Sequence, residues 1–475
     1  MLHSGCFWGS ADVHSWVRPQ PDLFMIIEKF KLCGAIAGCS LALSAATAAE
    51  RPNVLLILAD DLGYADLGCY GSEEILTPNI DALAQSGIRF EEGYVPSSVC
   101  GPSRACLMSG QYSVEFGVPG NGDVDYGIPL DQKNIAEFLK PSGYYTAVLG
   151  KWHLGKYSEE QTPMARGFDH FLGFLNGKSH YWPFSKGGQK QIKETKDYPT
   201  QRNEKILTPE DYPPETYLTD LLSEEAVEIV EGRHGRDDQP FFIYLSYNAP
   251  HGPLHAPEDC KQRNSHIKDK ARNNFAGMMT SMDDGIGRVI QALKDEGLYE
   301  NTLVIFLSDN GGPTTKNTSK NTPFRGVKGD TWEGGVRVPF MVSWPAAIKA
   351  GQVRDEPVVS IDLAPTIIAL AGLEPSREYD GVDLSAWLLG GQKRLPQRAI
   401  YYWRGSARGM RIGQYKYTQN KGAGAELFDI KDNPSEDPLK KLNAPERQQE
   451  MESQVALWEA GWPATLREKL ESEKK

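Results

Sequence analysis

Residues 52–61 read PNVLLILADD, and this stretch decides the fold. An uninterrupted apolar run closed by turn-forming residues is typical of a strand that is buried on both faces. Similar runs recur at Thr146–Leu149, Phe241–Ser246, Thr302–Ser308 and Val338–Trp344. Helical patterns separate them, for example at Asn79–Ser86, Ile135–Leu139 and Phe275–Lys294. Strands that alternate with helices predict an α/β fold with a largely parallel central sheet.

Polar clusters follow four of these strands directly. They are Asp60-Asp61, Gly150–His153, Asn248–His251 and Ser308–Gly312. Ligands of open α/β sheets bind at the carboxyl ends of the strands. We therefore expect the four clusters to form one site, although each taken alone is compatible with ordinary loop chemistry.

The chain of 475 residues has room for a large domain and a smaller one. We predict a catalytic domain over residues 50–390 and a small C-terminal α+β subdomain over residues 391–475. Short alternating runs at Ala399–Trp403 and Gln414–Thr418 indicate that the subdomain contains an antiparallel sheet. Residues Lys186–Pro213 are polar without a clear period and are expected to form a long surface loop.

Residues 1–49 have the pattern of an N-terminal extension with a signal peptide. A short charged segment after Met25 precedes an apolar run, and Ala46-Thr47-Ala48 fits a cleavage site. We expect export to the periplasm or the extracellular space. Translation starting at Met1 or at Met25 and lipid anchoring at Cys39 are open alternatives. The apolar run is shorter than the ~20 residues of a membrane span, so no span is expected.

The formal net charge of −12 argues against nucleic acid as a partner. Removal of the leader would leave Cys69, Cys100, Cys106 and Cys260. This number does not make a disulfide framework, and the sequence does not assign any single bridge.

The segment SVCGPSRACLMSG at residues 98–110 carries the strongest functional signal. Pro102 suits the first turn of a helix, and Gly110 suits its end. Cys100 is then expected just before a helix N-terminus, where an anion is favoured, with Arg104 one turn further on the same side. A surface cysteine, or one that pairs with Cys106, is the alternative interpretation.

The whole segment resembles the Cys-x-Pro-Ser-Arg signature of the type I sulfatases, in particular the arylsulfatase type. Further segments similar to that family are GKWHLG at 150–155, RGVKGDTWEGGVRVP at 325–339 and ELFD at 426–429. The resemblance runs from about Asn53 to Phe428. It implies an alkaline phosphatase-like sandwich, and it implies that a formylglycine-generating or other sulfatase-maturing enzyme oxidises Cys100 to Cα-formylglycine.

A metal site is expected from the acids that follow two strands. Asp60, Asp61, Asp309 and Asn310 offer only hard oxygen ligands, which suit Ca²⁺ or Mg²⁺ rather than zinc. The resemblance implies that these residues bind one Ca²⁺ and that the formylglycine at Cys100 completes the shell.

The resemblance also assigns roles in catalysis. Lys151 and Lys328 would hold sulfate oxygens, and Arg104 would hold the aldehyde hydrate. His153 would take a proton from the hydrate to expel sulfate, and His251 would face the leaving group as general acid. Histidine suits both tasks because its pKa lies near neutrality.

The sequence gives fewer indications of substrate specificity. Ser179 and His180 are candidate substrate contacts. Tyr181 and Trp182 are candidates for stacking on a sugar ring, with a place in the core or at its rim as the alternative. Trp403 and Arg404 are weaker candidates.

The leading hypothesis is a calcium-dependent sulfatase that cleaves sulfate esters, with sulfated carbohydrates as the expected substrates. Two alternatives are kept. One is a phosphate or phosphonate ester hydrolase of the same superfamily, and the other is a non-catalytic sulfoglycan-binding protein in which Cys100 remains a thiol.

Overall fold

Strand β1 (Asn53–Ala59) lies in the interior of the central sheet of the computed structural model, and all seven of its residues are buried. The structure describes residues 51–195, 199–235, 239–374 and 377–474. The predicted leader, Met25 and Cys39 lie outside these ranges.

The remaining strands are β2 (Ile88–Phe90), β3 (Gly93–Tyr94), β4 (Tyr145–Lys151), β5 (His170–Phe174), β6 (Gln201–Arg202), β7 (Lys205–Ile206), β8 (Phe241–Ser246), β9 (Thr302–Ser308), β10 (Phe340–Ser343), β11 (Gln352–Arg354), β12 (Val358–Val359), β13 (Ala399–Arg404), β14 (Ala407–Ile412), β15 (Tyr415–Gln419) and β16 (Ala425–Asp429). The helices are α1 (Pro78–Gln85), α2 (Cys100–Ser109), α3 (Asn121–Val124), α4 (Ile135–Leu139), α5 (Lys186–Thr195), α6 (Leu218–Val230), α7 (Glu258–Arg263), α8 (Lys270–Asp295), α9 (Glu333–Val336), α10 (Leu363–Leu370), α11 (Ser385–Leu388), α12 (Pro445–Ala460) and α13 (Ala464–Lys474).

The central sheet has the strand order β11-β2-β10-β9-β1-β8-β4-β5-β6-β7. Strands β9, β1, β8, β4 and β5 are mutually parallel, whereas β10 runs antiparallel to β9. Their carboxyl ends therefore lie at one edge of the sheet. The predicted mostly parallel sheet is confirmed, and β8 and β9 begin and end where the sequence placed them.

The side chains on the two faces of β1 pack into two different hydrophobic layers. Leu55 and Ile57 pack with residues of α6 and α8, while Val54, Leu56 and Leu58 pack with residues of α2 and α10. Alternate residues of a strand point to opposite faces, so a continuous apolar run is what a sheet covered by helices on both sides requires.

Strands β13 to β16 form the predicted small antiparallel sheet near the C-terminus. Its residues Tyr402 and Trp403 share a hydrophobic cluster with Tyr94 and Cys106. Residues 50–475 accordingly form one compact unit by their contacts. The division at residue 390 remains a prediction.

The prediction of a loop over Lys186–Pro213 is wrong in part, because its first residues form α5 and two later pairs form β6 and β7. The Ser185 hydroxyl accepts a hydrogen bond from the Gly188 amide at 3.1 Å, and the Gln189 amide donates to the Ser185 carbonyl at 2.9 Å. These local bonds start a polar helix that has no apolar stripe to reveal it. Within the described ranges, no helix is long and apolar enough to cross a membrane.

Candidate active site

Two acids stand at the carboxyl end of β1. Asp60 is fully buried, and Asp61 is 3% exposed. Asp61 adopts a left-handed backbone conformation with φ 66°, and its amide donates to Asp309 Oδ1 at 3.2 Å. The end of β1 is thereby joined to the end of β9, as expected for clusters at one edge of a parallel sheet.

Cys100 is the first residue of α2, one position inside the predicted boundary, and it is buried. Gly110 ends the helix in a left-handed conformation with φ 72°. The Asn121 side chain lies against Cys100, with Nδ2 3.6 Å from Sγ, and its Oδ1 accepts from the Gly101 amide at 2.9 Å. Sequence reasoning missed Asn121, which no motif marks.

Arg104 lies on the side of α2 that faces the acids and is fully buried. Its Nε and Nη2 each lie 2.9 Å from Asp309 Oδ2, while Nη1 donates to the Lys151 carbonyl at 3.1 Å and to Ser246 Oγ at 2.5 Å. Burial opposes its charge, but nearby Tyr244 and the carboxylates raise its pKa above the usual value. Arg104 is therefore a fixed cation, and Ser246 is a second contact that the sequence did not reveal.

Two lysines form ion pairs with the two acids that follow β1. Lys151 ends β4, and its Nζ lies 2.7 Å from Asp60 Oδ2. Lys328 Nζ lies 2.5 Å from Asp61 Oδ1 and 3.8 Å from Cys100 Sγ. Burial opposes the charge of Lys328, but Cys100 and the acids keep its pKa above the usual range.

The same lysines keep the acids ionised. Burial raises the pKa of both carboxyls and is the largest single effect, yet the surrounding cations together outweigh it, led by Lys151 at Asp60 and by Lys328 at Asp61, so both pKa values lie below the usual value. Ionised carboxylates are the form that binds a metal ion.

The residues present fit a hard cation. Ligand atoms of Asp60, Cys100 and Asp309 lie within 4.8 Å of one another. Asp60 Oδ1 and Asn310 Oδ1 are buried, and neither has a hydrogen-bond partner in the described part of the chain. Asn310 Nδ2 donates to Asp61 Oδ1 at 2.7 Å, which joins the fourth predicted ligand to the group. Buried oxygen atoms without partners are costly unless something else satisfies them.

His153 is buried beside these cations and has a left-handed backbone conformation with φ 53°. Burial is the main reason that its pKa lies well below the usual value, and the charges of Lys151 and Arg104 add to it. The imidazole is therefore neutral at neutral pH. Gly177 faces the ring so closely that a Cβ there would lie 2.9 Å from Cε1.

His251 occupies the more open side of the group, with its side chain 22% exposed. Its Nε2 lies 3.5 Å from Asp61 Oδ2, and its Nδ1 lies 2.6 Å from the Gly252 carbonyl. Nδ1 therefore donates to this carbonyl, which leaves Nε2 to face the acid.

The remaining candidate substrate contacts, Ser179 and His180, lie on the segment that follows β5. Ser179 is 2% exposed. His180 Nδ1 lies 3.0 Å from the Trp182 carbonyl oxygen. The His180 ring also packs on His255, with 4.8 Å between the ring centres. The structure shows no contact of Ser179 or His180 with the acids and lysines described above.

The stacking role suggested for Tyr181 is wrong. Tyr181 is fully buried, its hydroxyl donates to the carbonyls of Asn248 and His251, and its ring stacks on Tyr217. It supports the loop that carries His251. Trp403 is also a core residue, because only 1% of it is exposed.

Cys69, Cys100, Cys106 and Cys260 are all free thiols in the described part of the chain. Cys106 Sγ accepts from the Ser113 amide at 3.2 Å instead of pairing with Cys100. The pairing considered for Cys100 and Cys106 is therefore absent from this structure.

The sheet topology and the polar group at its carboxyl edge define a hydrolase of the alkaline phosphatase-like class. The family model described as Sulfatase matches residues 52–373. A second model, described as N-sulphoglucosamine sulphohydrolase, C-terminal, matches residues 328–458. The chain belongs to the sulfatase family and is a sulfuric ester hydrolase, which confirms the predicted sulfatase activity over its two alternatives.

Relatives support this assignment over most of the chain. Arylsulfatase A of Homo sapiens is 37% identical over 420 residues, which cover 81% of this chain and 78% of that protein. N-acetylgalactosamine-6-sulfatase of Rattus norvegicus is 33% identical over 400 residues, which cover 79% of this chain and 73% of that protein.

Solved structures agree with this result. The crystal structure of Ps i-CgsB in complex with k-i-k-neocarrahexaose superposes with a TM-score of 0.79 at 36% identity and covers 87% of this chain and 94% of that one. Phosphonate Monoester Hydrolase of Agrobacterium radiobacter is 21% identical, has a TM-score of 0.62 and covers 88% of this chain and 96% of that one. At that identity the likeness shows the fold alone.

Proposed function

We propose that this protein is an exported, calcium-dependent sulfatase of the formylglycine type that removes sulfate from sulfated carbohydrates. The observation that carries the proposal is the convergence of Cys100, three fixed cations and four oxygen ligands at one edge of the sheet.

Asp60, Asp61, Asp309 and Asn310 are the proposed Ca²⁺ ligands, with residue 100 completing the set. When bound there, a dication lowers the pKa of a hydroxyl at residue 100 and screens its repulsion from sulfate. Oxidation of Cys100 by a sulfatase-maturing enzyme supplies an aldehyde hydrate, whose hydroxyl is the nucleophile.

The cations hold the sulfate ester. Lys328 Nζ is within reach of both Cys100 and the acids, so it is placed to bind an oxygen of the group that reacts at residue 100. Lys151 acts beside it, and Arg104, which fixes the orientation of Asp309, is the proposed partner of the aldehyde hydrate at residue 100. Fixed charges of this kind stabilise a transition state because they need no reorganisation.

The two histidines divide the proton transfers. Neutral His153 is able to accept a proton, and its buried Nδ1 has no partner among the described residues. His251 is more exposed and presents Nε2, so it is placed to protonate the departing alcohol oxygen. Ser179 and His180 are proposed as outer substrate contacts on the segment that follows β5.

A carbohydrate substrate is supported by two relatives. Ps i-CgsB was solved with a neocarrahexaose, and the rat relative is named for a sulfated amino sugar. Export, with lipid anchoring at Cys39 as a variant, is proposed from residues 1–49 alone. We also propose that the catalytic domain ends near residue 390.

The test is a mass spectrum of the peptide that contains Cys100, from protein made in its native host or together with a formylglycine-generating enzyme. We expect an aldehyde or its hydrate, and turnover of 4-nitrophenyl sulfate well above that of 4-nitrophenyl phosphate. A thiol in fully active protein would refute the mechanism. Faster turnover of the phosphate ester would refute the substrate class.

A further inference from the structure

Arg404 is an exposed arginine at the end of β13, outside the group of side chains that contact the proposed nucleophile. Among the described residues, its guanidinium forms no hydrogen bond or ion pair. The α-carbon of Gly329 faces it, and a Cβ there would lie 3.8 Å from Arg404 Nε. Gly329 directly follows Lys328, and its amide donates to the Ser98 carbonyl at 2.9 Å. Arg404 therefore flanks the loop that brings Lys328 to Cys100.

A cavity of about 230 Å³ opens in front of this arginine. Its lining includes Val99, Asn121 and Arg404, and residues of α13 close it from the C-terminal side. Asn121 links the cavity to the site, because the same side chain lies 3.6 Å from Cys100 Sγ. A substrate that reacts at residue 100 is thus next to this cavity.

Within the described chain, Arg404 presents its charge to this cavity without an ion-pair partner. Asp123 also lines the cavity, but its Oδ1 lies 2.8 Å from Lys469 Nζ, so the two charges offset each other. Asp330 is close enough to interact electrostatically with Arg404 but forms no ion pair with it within the described chain, and its Oδ2 accepts from the Val327 amide at 3.0 Å. Arg404 is the cation of this group that is not held by a carboxylate, and its planar fork suits bidentate binding of sulfate or carboxylate.

We propose that Arg404 and the cavity beside Asn121 form a second anion subsite, which binds a sulfate or carboxylate that the substrate retains after cleavage. The cavity is smaller than the ~300–1,000 Å³ of pockets that enclose a whole small ligand, so it takes one substituent of a larger molecule. The proposal rests on the proposed function and narrows its substrate class to sugars with two anionic groups.

The test measures binding apart from turnover. In the Cys100→Ala background, calorimetry compares N-acetylgalactosamine 4-sulfate, 6-sulfate and 4,6-disulfate, which carry no carboxylate. We expect the disulfated sugar to bind about tenfold more tightly than either monosulfated one. Arg404→Ala should remove this preference, and Arg404→Lys should retain part of it, because lysine keeps the charge but loses the fork.

Lys421→Ala is the matched control, since Lys421 is an exposed cation of the same small sheet, in the loop between β15 and β16. It should leave the preference intact. The proposal is overturned if none of the three sugars binds, if the parent shows no preference, or if the preference survives Arg404→Ala. Turnover of 4-nitrophenyl sulfate by matured protein with Cys100 intact tests the proposed function separately, so the two failures are distinguishable.

Discussion

At the scale of single residues, the site is a set of mutually satisfied charges with a few oxygen atoms left over. Each buried cation faces a carboxylate, as Arg104 faces Asp309 and Lys151 faces Asp60. Removing one member of a buried pair leaves the other uncompensated, which costs about 3–5 kcal/mol. Substitutions here affect folding as well as chemistry, so each test below carries a measure of folding.

Asp309→Ala should abolish both metal binding and activity, with turnover reduced at least about 10³-fold. Asp309 is a proposed ligand and also the partner of Arg104, so its loss removes an oxygen and frees a cation. Calcium content by elemental analysis and turnover of 4-nitrophenyl sulfate check this.

Asp309→Asn keeps the side-chain volume and serves when the alanine variant does not fold. Asp383→Ala, at an exposed position just before α11, is the control and should keep its calcium. Unchanged calcium in folded Asp309→Ala would contradict the ligand assignment.

His251→Ala should depend on the leaving group. A sugar alcohol needs a proton as it departs, so kcat/KM for a sulfated sugar should fall about 10²–10⁴-fold. An activated aryl sulfate needs little assistance and should lose less than about tenfold. The ratio of the two losses is the measurement.

His266→Ala is the control, because His266 is exposed and binds only the Glu74 carbonyl among the contacts of the described chain. Equal losses on both substrates would remove His251 from the role of general acid.

At the scale of elements, the strand ends are held by close backbone contacts. Gly150 precedes Lys151 in β4 with φ 108°, and a Cβ there would lie 1.9 Å from the Ser246 carbonyl oxygen of β8. A side chain at this position is incompatible with both the conformation and the neighbouring strand. The glycine thus sets the position of Lys151.

Gly150→Ala should destabilise the protein by about 3 kcal/mol or more and reduce turnover, because β4 and β8 must separate. Denaturant unfolding and turnover of 4-nitrophenyl sulfate check this. Gly71→Ala is matched in backbone, with φ 98°, but has nothing within 4 Å of its Cβ. It should cost only about 1–2 kcal/mol of left-handed strain. Equal costs for the two variants would contradict the argument from close contact.

At the scale of the whole molecule, the C-terminal sheet and helices are tied to the catalytic body. Lys416 of β15 is fully buried and lies 2.7 Å from Glu333 of α9, a few residues beyond Lys328. Helix α12 contributes Trp458, whose Nε1 donates to Glu115 at 2.9 Å. The small sheet therefore supports the loop that carries Lys328, and we expect one cooperative unfolding transition.

Glu115 makes this junction sensitive to pH. Burial, with a smaller contribution from Asp380, raises its pKa to about 7. Its folded pKa is above its unfolded value, so its contribution to stability is present in full at low pH and is lost as pH rises through about 7. Glu115→Gln removes this loss while keeping an oxygen for Trp458.

Glu115→Gln should therefore raise the midpoint of thermal unfolding more at pH 8 than at pH 5. Partial exposure limits the effect to about 1 kcal/mol. Glu446→Gln, on the exposed start of α12, should show no such difference. A gain that is equal at both pH values, or larger at pH 5, would contradict the sign.

The sequence by itself determined what depends on local pattern. Continuous apolar runs predicted β1, β8 and β9, because strands covered on both faces need apolar side chains along most of their length. The polar clusters at the strand ends predicted that the acids after β1 and after β9 meet at one edge, and the family resemblance added Cys100 to them. The structure brings them together.

Tertiary structure alone decided what depends on contacts between distant segments. Asn121 meets Cys100, Ser246 meets Arg104, and Tyr181 turns inward to hold the His251 loop. No periodicity encodes such pairs, because each depends on where two chain segments cross rather than on spacing within either one. The free guanidinium of Arg404 belongs to the same class, since its place beside Gly329 follows from the packing of the small sheet on the catalytic body.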